Sequence, residues 1–228
     1  LNIRLTVFWE DDTREKEMDR NIENNTDEYF LEVRNITKMF GQFTALSDIS
    51  VGIKQGEFVS VLGPSGCGKT TTGRCILRLV EPTSGEVVLR TNDEDVDLVA
   101  ARAKELKDVR RDGQMIFQDP VSSLDPRMTV RNIVAEPLVV HDIGDKAEQT
   151  ERVREALSRV RLSDDMINRY PHEFSGGQRQ RIGLARALIL EPTLLVCDEP
   201  VSALDVSVQA QVLNLLEDLK AEMGLTLL

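Results

Sequence analysis

Residues 59–77 read VSVLGPSGCGKTTTGRCIL, and this stretch decides the fold. The apolar run VSVL is followed by a loop with three glycines and one lysine, and then by a segment with helical character. The loop, residues 63–70, satisfies the pattern G-x-x-x-x-G-K-[ST]. Glycine lets the backbone curl until successive N–H groups converge, and the following helix N-terminus adds partial positive charge. The stretch therefore predicts a strand, a phosphate-binding loop and a helix over about residues 69–80.

If the loop binds a nucleotide, individual residues in it have distinct roles. Lys69 supplies a full charge for the β- and γ-phosphates of a nucleotide, and the Thr70 hydroxyl is a ligand for Mg²⁺. A glycine turn that binds nothing is the alternative, but the pattern arises by chance in roughly one chain in a hundred of this length. The residues predicted to contact the phosphates are Gly63, Pro64, Ser65, Gly66, Cys67, Gly68, Lys69, Thr70 and Thr71.

Composition limits the class of protein. The chain has 228 residues, 41% hydrophobic and 29% charged, which is typical of a globular domain. Its apolar runs are too short to cross a bilayer, and the first residues lack the pattern of a signal peptide. A net charge of −11 argues against a nucleic-acid partner. Three cysteines without zinc spacing indicate reduced thiols in a cytosol, with Cys67 and Cys197 as small packing residues.

The patterns along the chain separate a short extension from one domain. Residues 1–30 carry nine acidic and four basic residues and predict a solvated extension or linker. From residue 31 to residue 228, apolar strand patterns such as LEVRNITKMF, EVVLR, QMIFQ and TLLVCDEP alternate with helical patterns. This alternation predicts an α/β fold with a largely parallel sheet. The pattern over residues 119–180 predicts a helical subdomain, in which the helices break at Pro120, Pro126 and Pro137.

Two acidic residues follow the apolar run TLLVC, at the end of a predicted buried strand. Asp198 and Glu199 therefore lie where open parallel sheets bind their ligands. Asp198 suits a Mg²⁺ ion held through water, and Glu199 suits a general base for the water that attacks the γ-phosphate. In isolation, a strand-end turn before Pro200 would explain the pair equally well. In a chain that also carries the phosphate loop, we favour the catalytic interpretation.

A second glycine motif, FSGGQRQRIGLARAL, begins at Phe174. Ser175 is predicted to cap a helix whose first turn starts at the glycines, which makes a second anion-binding helix end. One nucleotide needs only one phosphate cradle, so the second indicates another nucleotide or another chain. The alternative is a capped helix that uses glycine for close packing.

The segments GPSGCGKT, FSGGQRQR, LLVCDEP and SALD, in this order and spacing, resemble the ATP-binding cassette ATPases. The resemblance covers residues 31–228. It implies a P-loop NTPase fold, with a RecA-like core of mainly parallel sheet, an antiparallel β subdomain and an inserted helical subdomain. It also implies ATP and Mg²⁺ as cofactors. The signature residues would close over ATP held by an opposing subunit; they are Ser175, Gly176, Gly177 and Gln178.

The same resemblance implies three further roles. Asp205 in SALD would communicate between two sites. Gln118 in MIFQDP would ligate Mg²⁺, sense the γ-phosphate and contact a membrane partner; otherwise it is a loop amide. Phe40 in KMFGQ would stack on adenine; otherwise it is a core aromatic at a strand end. Phe174 stands where leucine is commoner in the family.

Longer matches, including QMIFQDPVSSLDPRMTVRNIVAEPL and EPVSALDVSVQAQVLNLL, resemble the ATPase subunits of oligopeptide, dipeptide and nickel importers. This resemblance implies a Mg-dependent ATPase that drives uptake of peptides or a related small solute. Its partners would be a second nucleotide-binding domain, in a head-to-tail homo- or heterodimer, and transmembrane permease subunits. Its location would be peripheral, on the cytoplasmic face of the plasma membrane. Nothing in the sequence names the solute.

Two other functions stay open. The first is a non-transport cassette ATPase in translation or chromosome maintenance, although Gln118 and Ser175 are only 57 positions apart, too few for an inserted coiled coil. The second is a regulatory nucleotide-binding module, which would be expected to lack Glu199. The family's switch histidine lies at the end of the strand that here reads LTLL, and the chain's histidines are His141 and His172. We therefore expect the 228-residue chain to bind ATP and hydrolyse it poorly.

Overall fold

The computed structural model describes residues 6–9, 29–90, 95–119 and 123–228. The strands are β1 (Thr6–Trp9), β2 (Leu31–Phe40), β3 (Phe43–Ile53), β4 (Val59–Leu62), β5 (Ser84–Arg90), β6 (Asp95–Asp97), β7 (Gly113–Ile116), β8 (Leu194–Cys197) and β9 (Thr226–Leu227). The helices are α1 (Lys69–Ile76), α2 (Ala103–Asp112), α3 (Val130–Val140), α4 (Lys146–Arg159), α5 (Gly176–Leu188) and α6 (Val206–Met223). Two 3₁₀ segments are Asp164–Asn168 and Pro171–Glu173.

The chain forms two compact units. The first unit contains Leu1–Arg110 and Leu225–Leu228, and the second contains Arg111–Gly224. The predicted extension, residues 1–30, lies mostly outside the described residues. Its division from the domain therefore stays a prediction.

The first unit contains a four-stranded antiparallel sheet in the order β3–β2–β5–β6. Leu31 in the central strand β2 pairs with Ile53 on one side and with Leu89 on the other, and all three side chains are fully buried. At Asn35 the backbone takes φ 50°, and the register of β2 shifts against both neighbours. Gly85 faces this irregularity with φ 101°, and a Cβ there would lie 2.6 Å from the Arg34 carbonyl oxygen. Only glycine fits this position.

A buried ion-pair network lies inside this sheet. The Glu32 side chain is fully buried and accepts hydrogen bonds from Arg34 Nε at 2.8 Å and from Arg90 Nη2 at 3.1 Å. Burial alone would raise the pKa of the Glu32 carboxyl, but the bonds from the two arginines outweigh it and hold that pKa below its ordinary value. Glu32 is therefore charged in the folded protein at neutral pH.

Replacing Glu32 by glutamine is expected to lower the free energy of unfolding at pH 7 by about 2–4 kcal/mol. Arg34 and Arg90 would lose the buried carboxylate that they share and, among the described residues, would keep only the exposed acidic partners Glu86 and Asp95. The folded-state pKa lies below the ordinary value of 4.5. The wild-type protein therefore keeps this contribution above about pH 4.5 and loses it as the pH falls through the lowered pKa. The difference between wild type and variant should shrink on acidification. Urea unfolding at several pH values measures it.

Glu86→Gln is the matched control for this prediction. Glu86 is 56% exposed and lies 3.4 Å from the Arg34 guanidinium, so its loss should cost less than about 1 kcal/mol. An equal loss of stability in the two variants would contradict the special role of the buried carboxylate.

The strand before the glycine loop has neighbours on both edges. β4 pairs antiparallel with β1, from Thr6↔Leu62 to Trp9↔Val59, and Phe58 forms a parallel bridge with Leu227. The predicted linker thus contains a strand, which its acidic composition did not indicate. Helix α1 begins at Lys69 as predicted but ends at Ile76, before the expected residue 80. Arg78 adopts φ 47°, which turns the chain out of the helix.

The second unit combines two parallel strands with four helices. β7 and β8 pair in parallel, in register from Gly113↔Leu194 to Ile116↔Cys197. Because parallel strands end at the same edge of a sheet, Gln118 and the pair Asp198–Glu199 follow neighbouring strand ends. Helices α3 and α4 are capped by the side chains of Thr129 and Asp145. The predicted break at Pro137 is wrong, since Pro137 lies inside α3, close to the end of the helix. Pro120 is outside the described residues.

Candidate functional site

The glycine loop of the first unit has the backbone that its sequence predicts. Gly66 has φ 80° and Gly68 has φ 104°, both in the left-handed region. A Cβ on Gly68 would lie 2.6 Å from Leu46 Cδ2 and 3.0 Å from the Ala45 carbonyl oxygen, so a side chain has no room there. Two constraints, backbone angle and space, therefore require glycine at position 68.

Lys69 lies at the first position of α1, and its ammonium folds back over the loop. Lys69 Nζ donates to the carbonyl oxygens of Gly63 at 2.8 Å and of Pro64 at 3.3 Å. The residues from Gly63 to Gly66 are exposed, whereas Cys67 is buried as predicted. A positive charge thus lies at an exposed, glycine-curved loop at the start of a helix, and these are the features that favour binding of an anion.

At the end of β2, Phe40 extends into solvent. Its side chain is 51% exposed, so the alternative of a core aromatic is wrong. An exposed aromatic ring at a hairpin end can stack on a planar base. Stacking on adenine itself remains a prediction.

In the second unit, the polar residues that follow β7 and β8 contact one another. Gln118 Nε2 donates to Glu199 Oε2 at 2.9 Å. Asp198 is 6% exposed, and its backbone N–H donates to the Ile116 carbonyl oxygen at 2.9 Å. Gln118 and Glu199 were selected from separate sequence motifs, and neither motif indicated this hydrogen bond. The parallel register of the two strands brings the two side chains together.

Glu199 has an unusual backbone conformation. Its φ is 47°, in the left-handed region that costs a non-glycine residue roughly 1 kcal/mol or more. The Glu199 carbonyl oxygen accepts from the backbone N–H of Ser202 at 3.2 Å and from the Ser202 hydroxyl at 3.1 Å. Ser202 thereby stabilises a turn that starts directly after the strand. The turn determines where the Glu199 carboxylate lies relative to β8, and sequence reasoning did not assign Ser202 this role.

The thiol beside this acidic edge carries no charge. Burial raises the pKa of Cys197 to about 12, so the thiol stays protonated at neutral pH. This agrees with a packing role for Cys197. Asp198 and Glu199 are therefore the acidic groups that the end of β8 contributes.

The candidate metal ligands have the chemistry that Mg²⁺ prefers. Asp198 offers a carboxylate, Gln118 an amide oxygen and Thr70 a hydroxyl, and all three are hard oxygen donors. Among the described residues, no group of three or more His, Cys, Asp or Glu side chains could hold a metal ion on its own. Mg²⁺ commonly takes one or two protein oxygen ligands together with phosphate oxygens and water, so donors of this kind suit it.

The second glycine motif forms the predicted helix cap. Ser175 Oγ accepts from the Gln178 backbone N–H at 3.3 Å, and the Gln178 side chain accepts from the Ser175 backbone N–H at 2.9 Å. The two residues form a reciprocal capping box that fixes the start of α5. Ser175 and Gly176 are exposed, and Phe174 is buried as an apolar plug.

The signature glycines pack against the residues around the start of α6. A Cβ on Gly177 would lie 2.5 Å from Val208 Cγ1, and one on Gly176 would lie 3.4 Å from Leu204 Cδ2. Close packing therefore explains glycine at position 177, while Gly176 has room for a small side chain. Between these contacts lies Asp205, which is exposed and whose carbonyl oxygen accepts from the N–H groups of Val208 and Gln209.

Comparisons with known proteins show the family and the fold of the chain. A sequence model of the family described as ABC transporter matches residues 46–202. The chain belongs to the ABC transporter family. The oligopeptide transport ATP-binding proteins OppF and AppF of Bacillus subtilis are 51% and 47% identical over 206 and 212 residues, each covering 88% of this chain. The chain spans 67% and 64% of their lengths, so it corresponds to about two thirds of these relatives.

A solved structure of the ATP-binding cassette MJ0796, dimeric and bound to ADP and Pi, superposes with a TM-score of 0.72 at 32% identity. The match covers 86% of this chain and 85% of that one. The predicted P-loop NTPase fold is thereby confirmed. Among the described residues of this ABC family member, no helix has the length and hydropathy required to span a membrane.

Proposed function

We propose that this chain is the ATP-binding and ATP-hydrolysing subunit of an importer for peptides or a related small solute. The importer part of the proposal is supported by the oligopeptide transport ATP-binding proteins that the chain resembles. The observation that supports hydrolysis is the hydrogen bond between Gln118 and Glu199 at the ends of two parallel strands. An amide that can follow the γ-phosphate and a carboxylate that can activate water are the groups that this bond joins. The glycine loop with Lys69 has the chemistry of a phosphate-binding loop.

The residues divide the chemistry between them. Lys69 and the loop N–H groups bind the phosphates of ATP, and the Lys69 charge offsets the negative charge that grows on them in the transition state. Glu199 accepts a proton from the attacking water, while Gln118 orients the carboxylate through its amide nitrogen. Asp198, Thr70 and the Gln118 amide oxygen would hold Mg²⁺, which when bound neutralises phosphate charge and aligns the reacting oxygens.

The exposed cap at Ser175 supports a second proposal about partners. It offers backbone N–H groups at a helix N-terminus, where a further phosphate can bind. We propose that this helix end, with Asp205, closes over ATP bound to a second cassette in a head-to-tail dimer. The dimeric state of the neighbouring cassette structure supports this arrangement. Permease subunits and a peripheral position on the cytoplasmic face of the membrane follow from the importer proposal.

Binding of Mg-ATP tests the first step. The wild-type chain should bind ATP, and Lys69→Ala should weaken that binding at least about tenfold, because one full charge near the triphosphate is lost. Lys104→Ala is the matched control, since Lys104 is an exposed lysine of the same unit. Calorimetric titration measures all three affinities. Equal binding by wild type and Lys69→Ala would contradict the assignment of the loop.

The transport step is tested in vesicles that contain the full-length protein and its permease. Uptake of a labelled tetrapeptide should depend on ATP and should fail with Lys69→Ala. A non-transport ATPase would hydrolyse ATP without binding a permease, and a regulatory module would bind ATP without hydrolysing it. Either outcome would overturn the importer proposal.

A further inference from the structure

The end of the β2–β3 hairpin holds an exposed aromatic ring beside a lysine. Lys38 Nζ lies 4.8 Å from the centroid of the Phe40 ring. This distance is within the range of a cation–π interaction. Lys38 and Phe40 are two positions apart in one strand, so their side chains leave the same face. The contact restrains the Phe40 ring, about half of which is exposed to solvent.

The same ammonium also binds the segment that follows α1. Lys38 Nζ donates to the Glu81 carbonyl oxygen at 2.7 Å. Beside it, the Met39 backbone N–H donates to Thr83 Oγ1 at 2.9 Å, and the Thr83 N–H donates to the Thr37 carbonyl oxygen at 2.8 Å. Three hydrogen bonds thus join the end of β2 to residues 81–83. Because α1 begins at the glycine loop, the ring has a defined position relative to the phosphate site within the first unit.

We propose that Lys38 is a positioning residue for the base of the nucleotide. The ammonium occupies one face of the Phe40 ring and leaves the opposite face for a planar base. Its bond to Glu81 keeps the ring in that orientation before the nucleotide arrives, so less side-chain freedom is lost on binding. The inference rests on the proposed ATP binding and on stacking by Phe40, and it assigns Lys38 a role that acts through Phe40.

Two probes separate this role from a general charge effect. Mg-ATP carries both the base and the phosphates, whereas inorganic tripolyphosphate carries only phosphates. Lys38→Met should weaken ATP binding about fivefold and change tripolyphosphate binding by less than about twofold. Lys38→Arg should retain the wild-type affinity for ATP, since arginine keeps both the charge and the donor. Calorimetric titration of each variant gives the affinities.

A double-mutant cycle with Phe40→Ala completes the test. Lys38→Met should cause no further loss of ATP affinity in the Phe40→Ala background, because the ring it positions is absent. Equal weakening of ATP and tripolyphosphate would overturn the proposal, since Lys38 would then act through charge or through the loop. An effect of Phe40→Ala without one of Lys38→Met would overturn this inference alone. Failure of the wild-type chain to bind ATP would overturn the proposed function as well.

Discussion

Replacing Glu199 by glutamine is expected to reduce the rate of ATP hydrolysis about 10²–10⁴-fold while ATP binding persists. Glutamine cannot accept the proton of the attacking water. Its amide oxygen can still accept the hydrogen bond that Gln118 Nε2 donates at 2.9 Å, so the geometry of the edge is retained. The effect should therefore appear in kcat and not in the affinity for ATP. Because ATP would be hydrolysed so slowly, the variant should also accumulate as an ATP-bound dimer.

Glu191→Gln is a closely matched control for this prediction. Glu191 lies in the same unit, and its φ of 53° is also in the left-handed region, but its side chain is 67% exposed and pairs with Arg159. The same chemical change on the same kind of backbone should leave hydrolysis unchanged. Turnover is measured in the full-length protein, and dimers are measured by light scattering with Mg-ATP. Wild-type turnover by Glu199→Gln would show that another group is the base.

Gly177→Ala is expected to abolish ATP-dependent pairing of cassettes and to lower the free energy of unfolding by about 1–3 kcal/mol. The added methyl group would lie 2.5 Å from Val208 Cγ1, so the Val208 side chain must leave its rotamer or the start of α5 or of α6 must shift. A valine side chain in a helix strongly prefers one rotamer, so we expect a helix to shift and to displace the capped end at Ser175, which we propose meets the nucleotide of the partner. Urea unfolding measures the stability, and light scattering with Mg-ATP measures pairing.

The second variant, Val208→Ala, identifies the cause of this loss. Apart from the Val208 methyl group, the nearest atom to the added methyl is Val208 Cβ at 3.9 Å, which is an ordinary contact. The double variant Gly177→Ala/Val208→Ala should therefore be as stable as Val208→Ala. If the double variant also forms ATP-dependent dimers, steric packing alone explains glycine at position 177. If it is stable but does not pair, close backbone approach to the partner also requires glycine there.

Gly183→Ala serves as a control on the same helix. A Cβ on Gly183 would meet nothing within 4 Å, so this variant should gain roughly 0.5–1 kcal/mol from helix propensity and pair normally. A loss of stability comparable to that of Gly177→Ala would mean that α5 tolerates no added methyl group. The steric explanation would then be wrong.

The local features of the site were predictable from neighbouring residues. The glycine loop, the start of α1 at Lys69 and the cap at Ser175 depend on side chains within a few positions, and the structure has all three. The ends of helices were less predictable, because they depend on which backbone conformation the last residues adopt. Helix α1 ends at Ile76 because Arg78 turns into the left-handed region, and Pro137 is accommodated near the end of α3. The strand β1 lay in a segment whose acidic composition predicted a linker.

Sequence patterns thus defined which residues carry phosphate-binding, acidic and capping chemistry, because these properties belong to residue types at short spacing. The hydrogen bond between Gln118 and Glu199 spans 81 positions and arises only when β7 and β8 pair in parallel register. The contact between Gly177 and Val208 likewise requires two helices to pack. The number of positions between two residues so far apart in the sequence does not indicate the distance between them in the folded protein. Only the tertiary structure therefore shows that Gln118 contacts Glu199 and that Gly177, unlike Gly176, has no room for a side chain.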